Sequence, residues 1–502
     1  MKTLKLRKVS IDTYKENVAY LHRNCPLYRS EGFQALNKIE IRDGKDTTPV
    51  IAVLNIVDDE NIVAVDELGL SEQTFMQFNA TENCSVFVDH ASPPTSIQLV
   101  HAKIAGNRLQ QQDFLHICKD IVNNRYSKIE ISAFLVGCAE GGLERDEMLY
   151  LTRAMVETGK TLSWGEPMVV DKHCIGGIPG NRTTMLIVPI VAAHGMLMPK
   201  TSSRAITSPS GTADTMEVLA KVNLEPEELR TIAHHQRGFI AWGGTANLAP
   251  VDDILISVER PLALDSRGQM IASILSKKIA AGSTHLLIDI PIGPTAKVHT
   301  QTEALKLRKL FEYIGDRTGL DIEVIITDGH QPIGNGIGPS LEARDVMQVL
   351  NNDPLAPVDL KEKALQMAGR ILEFDPDVRG GQGYHLARDL LESGRALQKM
   401  QEIIEHQGAN TLSTEPAKFK FEIISPIKGR VQEIDNLQIA HIARLAGAPM
   451  DKTAGIDLHK KVNDQVAEGE PMYTIYAEFH ADYQFAKSAA LKNSGYTIES
   501  IK

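Results

Sequence analysis

The stretch Met168-Val169-Val170-Asp171-Lys172-His173-Cys174-Ile175-Gly176-Gly177-Ile178-Pro179-Gly180 decides how this chain folds. Its apolar start predicts a strand, and the strand delivers a lysine and a histidine into a glycine turn. Backbone amides in such a turn can cradle an oxyanion, with the lysine as a point charge. Beyond it, apolar strands end in glycine turns and lead into helical stretches; Leu286-Leu287-Ile288-Asp289-Ile290 and Ile322-Glu323-Val324-Ile325-Ile326 are the clearest strands. That alternation predicts a central, mostly parallel α/β domain over 165–245 plus 284–410. Ligands then belong at the strand carboxyl ends, where Pro294-Thr295-Ala296-Lys297 and Gly334-Asn335-Gly336-Ile337-Gly338 also fall.

A second segment, Thr201-Ser202-Ser203-Arg204-Ala205-Ile206-Thr207-Ser208-Pro209-Ser210-Gly211-Thr212-Ala213-Asp214, sets many small donors beside one cation. Such clusters are usually plain loops, but two of them in one α/β domain point to an oxyanion guest. Neither has the Walker spacing nor the spaced-glycine dinucleotide fingerprint, so ATP and NAD lack support.

Working outward, residues 1–90 alternate short apolar strands with polar turns and predict a small β-rich N-terminal domain. Phe114, Leu115, Cys118, Ile121 and Val122, then Met148, Leu151, Thr152, Met155 and Val156, follow helical spacing. They predict a helical bundle domain, completed by 249–280 to give 96–160 plus 249–280. Residues 415–502 turn β-rich again and read as a separate C-terminal α+β domain. The fold class expected is therefore multidomain α/β.

With 502 residues, 43% of them hydrophobic, the chain can bury several cores. A net charge of -11 argues against a nucleic-acid surface, because no basic excess exists to replace phosphate counterions. The start Met1-Lys2-Thr3-Leu4-Lys5-Leu6-Arg7 lacks the apolar core of a signal peptide, and the run Met185 to Val191 is too short to span a bilayer. A cytoplasmic location without membrane attachment is expected. Five cysteines without a CxxC suggest neither a disulfide framework nor a zinc site, and no metal is expected.

Together, Asp171-Lys172-His173 with Gly176-Gly177, the Ser202 to Asp214 run, Leu248-Ala249-Pro250 and Ala272-Ser273-Ile274-Leu275-Ser276-Lys277-Lys278 resemble the thymidine phosphorylase family. The resemblance runs from about Val100 to the C-terminus, and the extra N-terminal domain points to the longer branch that includes the AMP phosphorylases. It implies reversible phosphorolysis of thymidine to thymine and 2-deoxyribose 1-phosphate, with inorganic phosphate and a nucleoside or nucleoside monophosphate as partners. It implies no organic cofactor, and a homodimer or higher homo-oligomer.

By that resemblance Lys172, Gly177, Ser202 and Thr212 bind phosphate, with Thr184 a weaker candidate. Cys174 stands where the shorter enzymes commonly carry serine. Catalysis falls to His173, as a proton handler with a pKa near neutrality, and to Asp265, which matches the proton donor of the AMP phosphorylases. Substrate binding falls to Ser203, Arg204, Ala205, Ile206, Thr207, Ser208, Ser273, Lys277 and Lys297, with Arg260 near the position of a base-binding arginine. Ser273 and Lys277, four apart on a helix, share one face, and Lys278 is expected to point elsewhere.

Two alternatives stand beside this reading. One is an AMP phosphorylase that releases free base and ribose 1,5-bisphosphate, with Arg204 and the extra hydroxyls on the second phosphate. The other, of a different class, is a catalytically silent nucleotide-binding protein.

Overall fold

The computed structural model describes residues 3–13, 16–44, 48–205, 208–244, 248–262, 264, 266–378, 380–410 and 416–500, with Arg260 described by its backbone alone. The chain divides into two compact units, Met1–Gly159 with Ala249–Ser273, and Lys160–Leu248 with Ile274–Lys502.

In the first unit, β1 (Leu4–Lys8), β2 (Val18–His22), β3 (Lys38–Arg42), β4 (Val50–Val57), β5 (Glu67–Leu70) and β6 (Ser85–His90) close into a barrel in the order β1-β5-β2-β4-β3-β6. Closure leaves no open sheet edge. Alternate side chains, including Leu6, Leu21, Ile39, Ile41, Leu54 and Leu68, fill the interior.

Helices Ile97–Ile104, Gln111–Val122, Lys128–Glu140 and Arg145–Glu157 follow, joined by Pro250–Leu262. Their starts are written in the sequence. Ser127 Oγ accepts from Glu130 N at 3.3 Å while Glu130 returns a carboxylate to Ser127 N at 2.6 Å, a reciprocal cap. The buried Lys103–Glu147 pair, at 2.8 Å, ties the first of these helices to the last.

The second unit is built on β7 (Val170–Cys174), β8 (Met198–Ser202), β9 (Gly238–Trp242), β10 (His285–Ile292) and β11 (Asp321–Asp328). β7, β10 and β11 pair in parallel with β10 central, β8 pairs with β9 in parallel, and a parallel bridge from Val169 to Leu197 joins the two sets. All five carboxyl ends therefore lie along one edge. Helix Thr183–His194 is apolar on every side and buried from Thr183 to Ala192. It packs against Val358–Leu372 and Arg395–Gln407, and so holds the run Met185 to Val191 in the core. Among the described residues no helix is long and apolar enough to cross a membrane.

The remaining strands are β12 (Gly336–Ile337), β13 (Phe419–Ile424), β14 (Gly429–Ile434), β15 (Gly455–Leu458), β16 (Gln465–Val466), β17 (Pro471–Ala477) and β18 (Tyr496–Ser500). They form two sheets, β12-β15-β17-β13 and β16-β14-β18. This corrects one expectation. The Gly334 to Gly338 segment is no ligand loop, because its centre is β12, paired antiparallel with β15. Gly338, at φ 122°, lets that turn pass where a Cβ would stand 2.3 Å from Ala454 O. β13, β15 and β17, with helices Asn436–Leu445 and His480–Lys492, share a hydrophobic core of their own, and β12 joins them as one edge strand.

Candidate active site

Successive side chains of β7 point to opposite faces, and the strand divides its chemistry accordingly. On one face Asp171, almost fully buried, accepts from Lys278 Nζ at 2.7 Å and lies 3.6 Å from Lys200 Nζ. Burial alone would raise this carboxyl, but the fields of Lys200 and Lys278 outweigh it and hold Asp171 below the usual carboxylate range. His173, two residues on, shares that face. Its imidazole is held well below its ordinary value, first by burial and then by Lys278, Lys200, Lys277 and Lys172. It is therefore neutral at pH 7, able to donate or accept a hydrogen bond but carrying no stored proton.

On the other face, Lys172 Nζ donates to Thr183 Oγ1 at 3.0 Å and Thr183 donates to Asn181 Oδ1 at 3.0 Å. Asn181 Nδ2 returns to Cys174 Sγ at 3.4 Å. Cys174 pairs in register with Asp289 of β10, whose carboxylate accepts from Thr327 Oγ1 at 2.6 Å and lies 3.4 Å from Lys363 Nζ. Burial lowers Lys172 from the ordinary ammonium value and pushes the Cys174 thiol up to about 11, so the sulfur stays protonated. Four buried or nearly buried lysines, at 172, 200, 278 and 363, thus meet two buried carboxylates, Asp171 and Asp289. On each face two lysines share one carboxylate, and on the Lys172 face an oxyanion would supply the missing partner.

The hydroxyl-rich segment begins where β8 ends. Ser202 Oγ is buried and has no hydrogen-bond partner among the described residues. Gly211 lets residues 203–205 lie over the start of helix Thr212–Leu219, since a Cβ there would come within 2.6 Å of Ser203 O and Ala205 N. Asp214 Oδ2 fixes the loop by accepting from Ala205 N at 2.6 Å and Gly211 N at 2.9 Å. Arg204 is bound by Glu217 at 2.7 and 2.8 Å and Asp214 at 3.2 Å, with its guanidinium 5.1 Å from the Trp242 ring centre. The Arg204 hydrogen bond holds Glu217 down to about 2, so this cation is already matched. Ser203 is exposed, and Ser208 Oγ donates to Ser210 O at 2.8 Å. Thr212 Oγ1 accepts from Arg182 at 3.2 Å.

Gly177, at φ 96°, abuts the loop that carries Lys297: a Cβ on it would stand 3.0 Å from Lys297 N. The Lys297 side chain is exposed. Ser273 and Lys277 lie one turn apart on helix Arg267–Ala280, both half-buried, with Ser273 in the first unit and Lys277 in the second. Lys278 points elsewhere, inward to Asp171. Thr184 is buried in the first turn of its helix. Asp265, Ile206 and Thr207, and the side chain of Arg260, lie outside the described residues.

Sequence reading missed Lys200, Lys363, Asp289, Asn181, Arg182 and Thr183. A lone carboxylate inside the otherwise apolar β10, and a lysine inside the buried β8, were the available signals, because a charge is buried in a strand only when it is matched.

Residues 97–159 match the glycosyl transferase family helical bundle domain, 166–397 the glycosyl transferase family a/b domain, and 430–497 the pyrimidine nucleoside phosphorylase C-terminal domain. A protein of Methylococcus capsulatus named "Putative thymidine phosphorylase" is 63% identical over 495 residues, covering 99% of this chain and 96% of that one. One of the same name from Albidiferax ferrireducens is 59% identical over 499 residues, covering 99% and 95%. An anthranilate phosphoribosyltransferase structure from Thermus thermophilus superposes with a TM-score of 0.52 at 17% identity, covering 61% of this chain and 98% of its own, a likeness of fold.

Proposed function

The chain belongs to the thymidine phosphorylase family and is a pentosyltransferase of the nucleoside phosphorylase type, and from that premise we propose that it phosphorolyses thymidine. In this reaction a phosphate oxygen bonds to the anomeric carbon as the bond from that carbon to the base nitrogen breaks. Thymine takes up a proton, and 2-deoxyribose 1-phosphate remains. The observation that supports it is the excess of one lysine over carboxylate on the Lys172 face of β7, together with the Ser202 hydroxyl, which has no partner among the described residues.

In this reading Lys172, Ser202 and Thr212 hold the phosphate, while Gly177 keeps the Lys297 loop close. Neutral His173 orients the nucleoside, Ser273 and Lys277 hold the base, and Asp265 supplies its proton. Preorganised donors of this kind act where negative charge gathers, and cost no rearrangement during reaction. The runner-up substrate, a nucleoside 5'-monophosphate giving ribose 1,5-bisphosphate, draws on the hydroxyls of Ser203 and Ser208 and on exposed Lys297. Arg204, matched by Glu217 and Asp214, brings it no spare charge. Initial rates on thymidine, uridine, AMP and CMP at fixed phosphate test the choice. The highest kcat/KM is expected for thymidine, and a clear preference for a monophosphate would reverse it.

A further inference from the structure

We infer that Arg182 is a positioning residue for the anion site, one that turns the Thr212 proton toward the bound anion and spaces the Lys172 segment from the Thr212 segment. The inference rests on the reading of this site as a phosphate site.

Arg182 directly precedes helix Thr183–His194 and is 7% exposed. Its guanidinium spreads over four acceptors: the Glu342 carboxylate, Ser210 O at 2.6 Å, Thr212 Oγ1 at 3.2 Å and Asn181 O at 3.3 Å. A guanidinium only donates, whereas a hydroxyl carries one proton and two lone pairs. Thr212 therefore receives a proton from Arg182 and must send its own elsewhere, and among the described residues no acceptor takes it. The hydroxyl is set as a donor, the polarity an oxyanion requires. Across the strap, Thr183 treats Lys172 in the matching way. It accepts one ammonium proton and passes its own to Asn181, which leaves two protons on Lys172 for a ligand. Asn181-Arg182-Thr183 thus touches both anion-facing segments with three consecutive side chains.

Glu342 anchors the strap. It is buried, and one carboxylate oxygen also accepts from Thr215 Oγ1 at 2.8 Å, one turn below Thr212 on the same helix, while the other accepts from Gly338 N at 3.2 Å. Arg182, Glu342, Thr215 and Thr212 close a ring. Because Glu342 neutralises the guanidinium, Arg182 adds orientation more than attraction. Lysine keeps the charge but cannot span these acceptors at once.

The test uses full-length protein, with initial rates measured at varied phosphate and at varied nucleoside, for Arg182→Lys, Thr212→Val, their double variant and Thr212→Ser. Arg182→Lys and Thr212→Val should each raise the phosphate KM by about 10- to 100-fold, the size of one hydrogen bond to a charged group. The nucleoside KM should stay within about threefold, since uniform binding of that partner is untouched. The double variant should be no worse than Thr212→Val alone, because both changes remove the same bond. Thr212→Ser keeps the hydroxyl and should restore the phosphate KM, which keeps the inference testable should Arg182→Lys fail to fold. Multiplying losses in the double variant, equal rises in both KM values, or a serine variant as poor as valine would overturn it. A wild-type rate indifferent to phosphate would instead remove the phosphate reading itself, so the two failures are distinguishable.

Discussion

Lys278 Nζ lies 2.7 Å from Asp171 Oδ2, with 4% and 1% of the two side chains exposed, directly beside the Lys172-His173 pair. Lys200, 3.6 Å from the other carboxylate oxygen, makes Asp171 the shared counter-charge of two buried lysines. Removing the carboxylate strands both. Asp171→Asn is expected to cost about 3–5 kcal/mol of stability at pH 7, the usual penalty for an uncompensated buried charge. The sign with pH follows from the shifts. Lys200 is held well below its ordinary value, so its contribution is full only above about pH 10.4 and declines as pH falls through the lowered value. Asp171 is lowered too, so its own contribution is present above about pH 3.9 and lost as pH falls through the depressed value. Denaturant unfolding should therefore show the variant's deficit shrinking between pH 7 and pH 10. A deficit below about 1 kcal/mol, or one that ignores pH, would contradict the shared-counter-charge reading.

His173 is expected to stay neutral across the working range. Its folded value lies well below the ordinary one, so its stability contribution is present above about pH 6.5 and fades as pH falls through the folded value. Ring-nitrogen NMR of selectively labelled protein should show a single neutral tautomer at pH 6.5. An imidazolium signal at that pH would restore His173 as a carrier of the transferred proton.

Much of this site was legible in the sequence, and the parts that were not share a cause. The Asp171-Lys172-His173 strand and the Gly211-Thr212 helix start announce themselves because their residue types are local signals, an apolar run meeting a turn and a glycine before a helix. Lys278 did not, since the helical spacing that pairs Ser273 with Lys277 says only that Lys278 faces another way, and what lies that way is tertiary. Arg182 hid between two threonines and a glycine turn, where its nearest sequence neighbours do not include Glu342, Ser210 or Thr212. The Gly334 to Gly338 segment misled for the opposite reason. Its glycines permit close backbone passage equally well beside a ligand or beside β15, and composition cannot tell the two apart.

Arg204 has its charge met by Glu217 and Asp214 and its plane near Trp242, which makes it a clamp on residues 203–205. Arg204→Ala should therefore raise KM for thymidine and for a 5'-monophosphate by the same factor, within about threefold of each other. A rise confined to monophosphates would mark Arg204 as a ligand of a second phosphate.

Asp265 is the proposed proton donor to the departing base. Asp265→Asn keeps size and hydrogen bonding but removes the proton, and should lower kcat by about 10²–10⁴-fold with the phosphate KM little changed. The loss should be smaller for a substrate whose base departs readily as an anion. Equal kcat in wild type and variant would assign the proton to another group.

On this reading the under-neutralised lysine cluster receives inorganic phosphate as the attacking group. The most direct measurement is 31P NMR of purified protein incubated with thymidine, with and without inorganic phosphate. A sugar 1-phosphate resonance should grow in step with free thymine, and no thymine should form when phosphate is left out. Thymine released at the same rate in phosphate-free buffer, with no phosphorylated sugar, would contradict that reading.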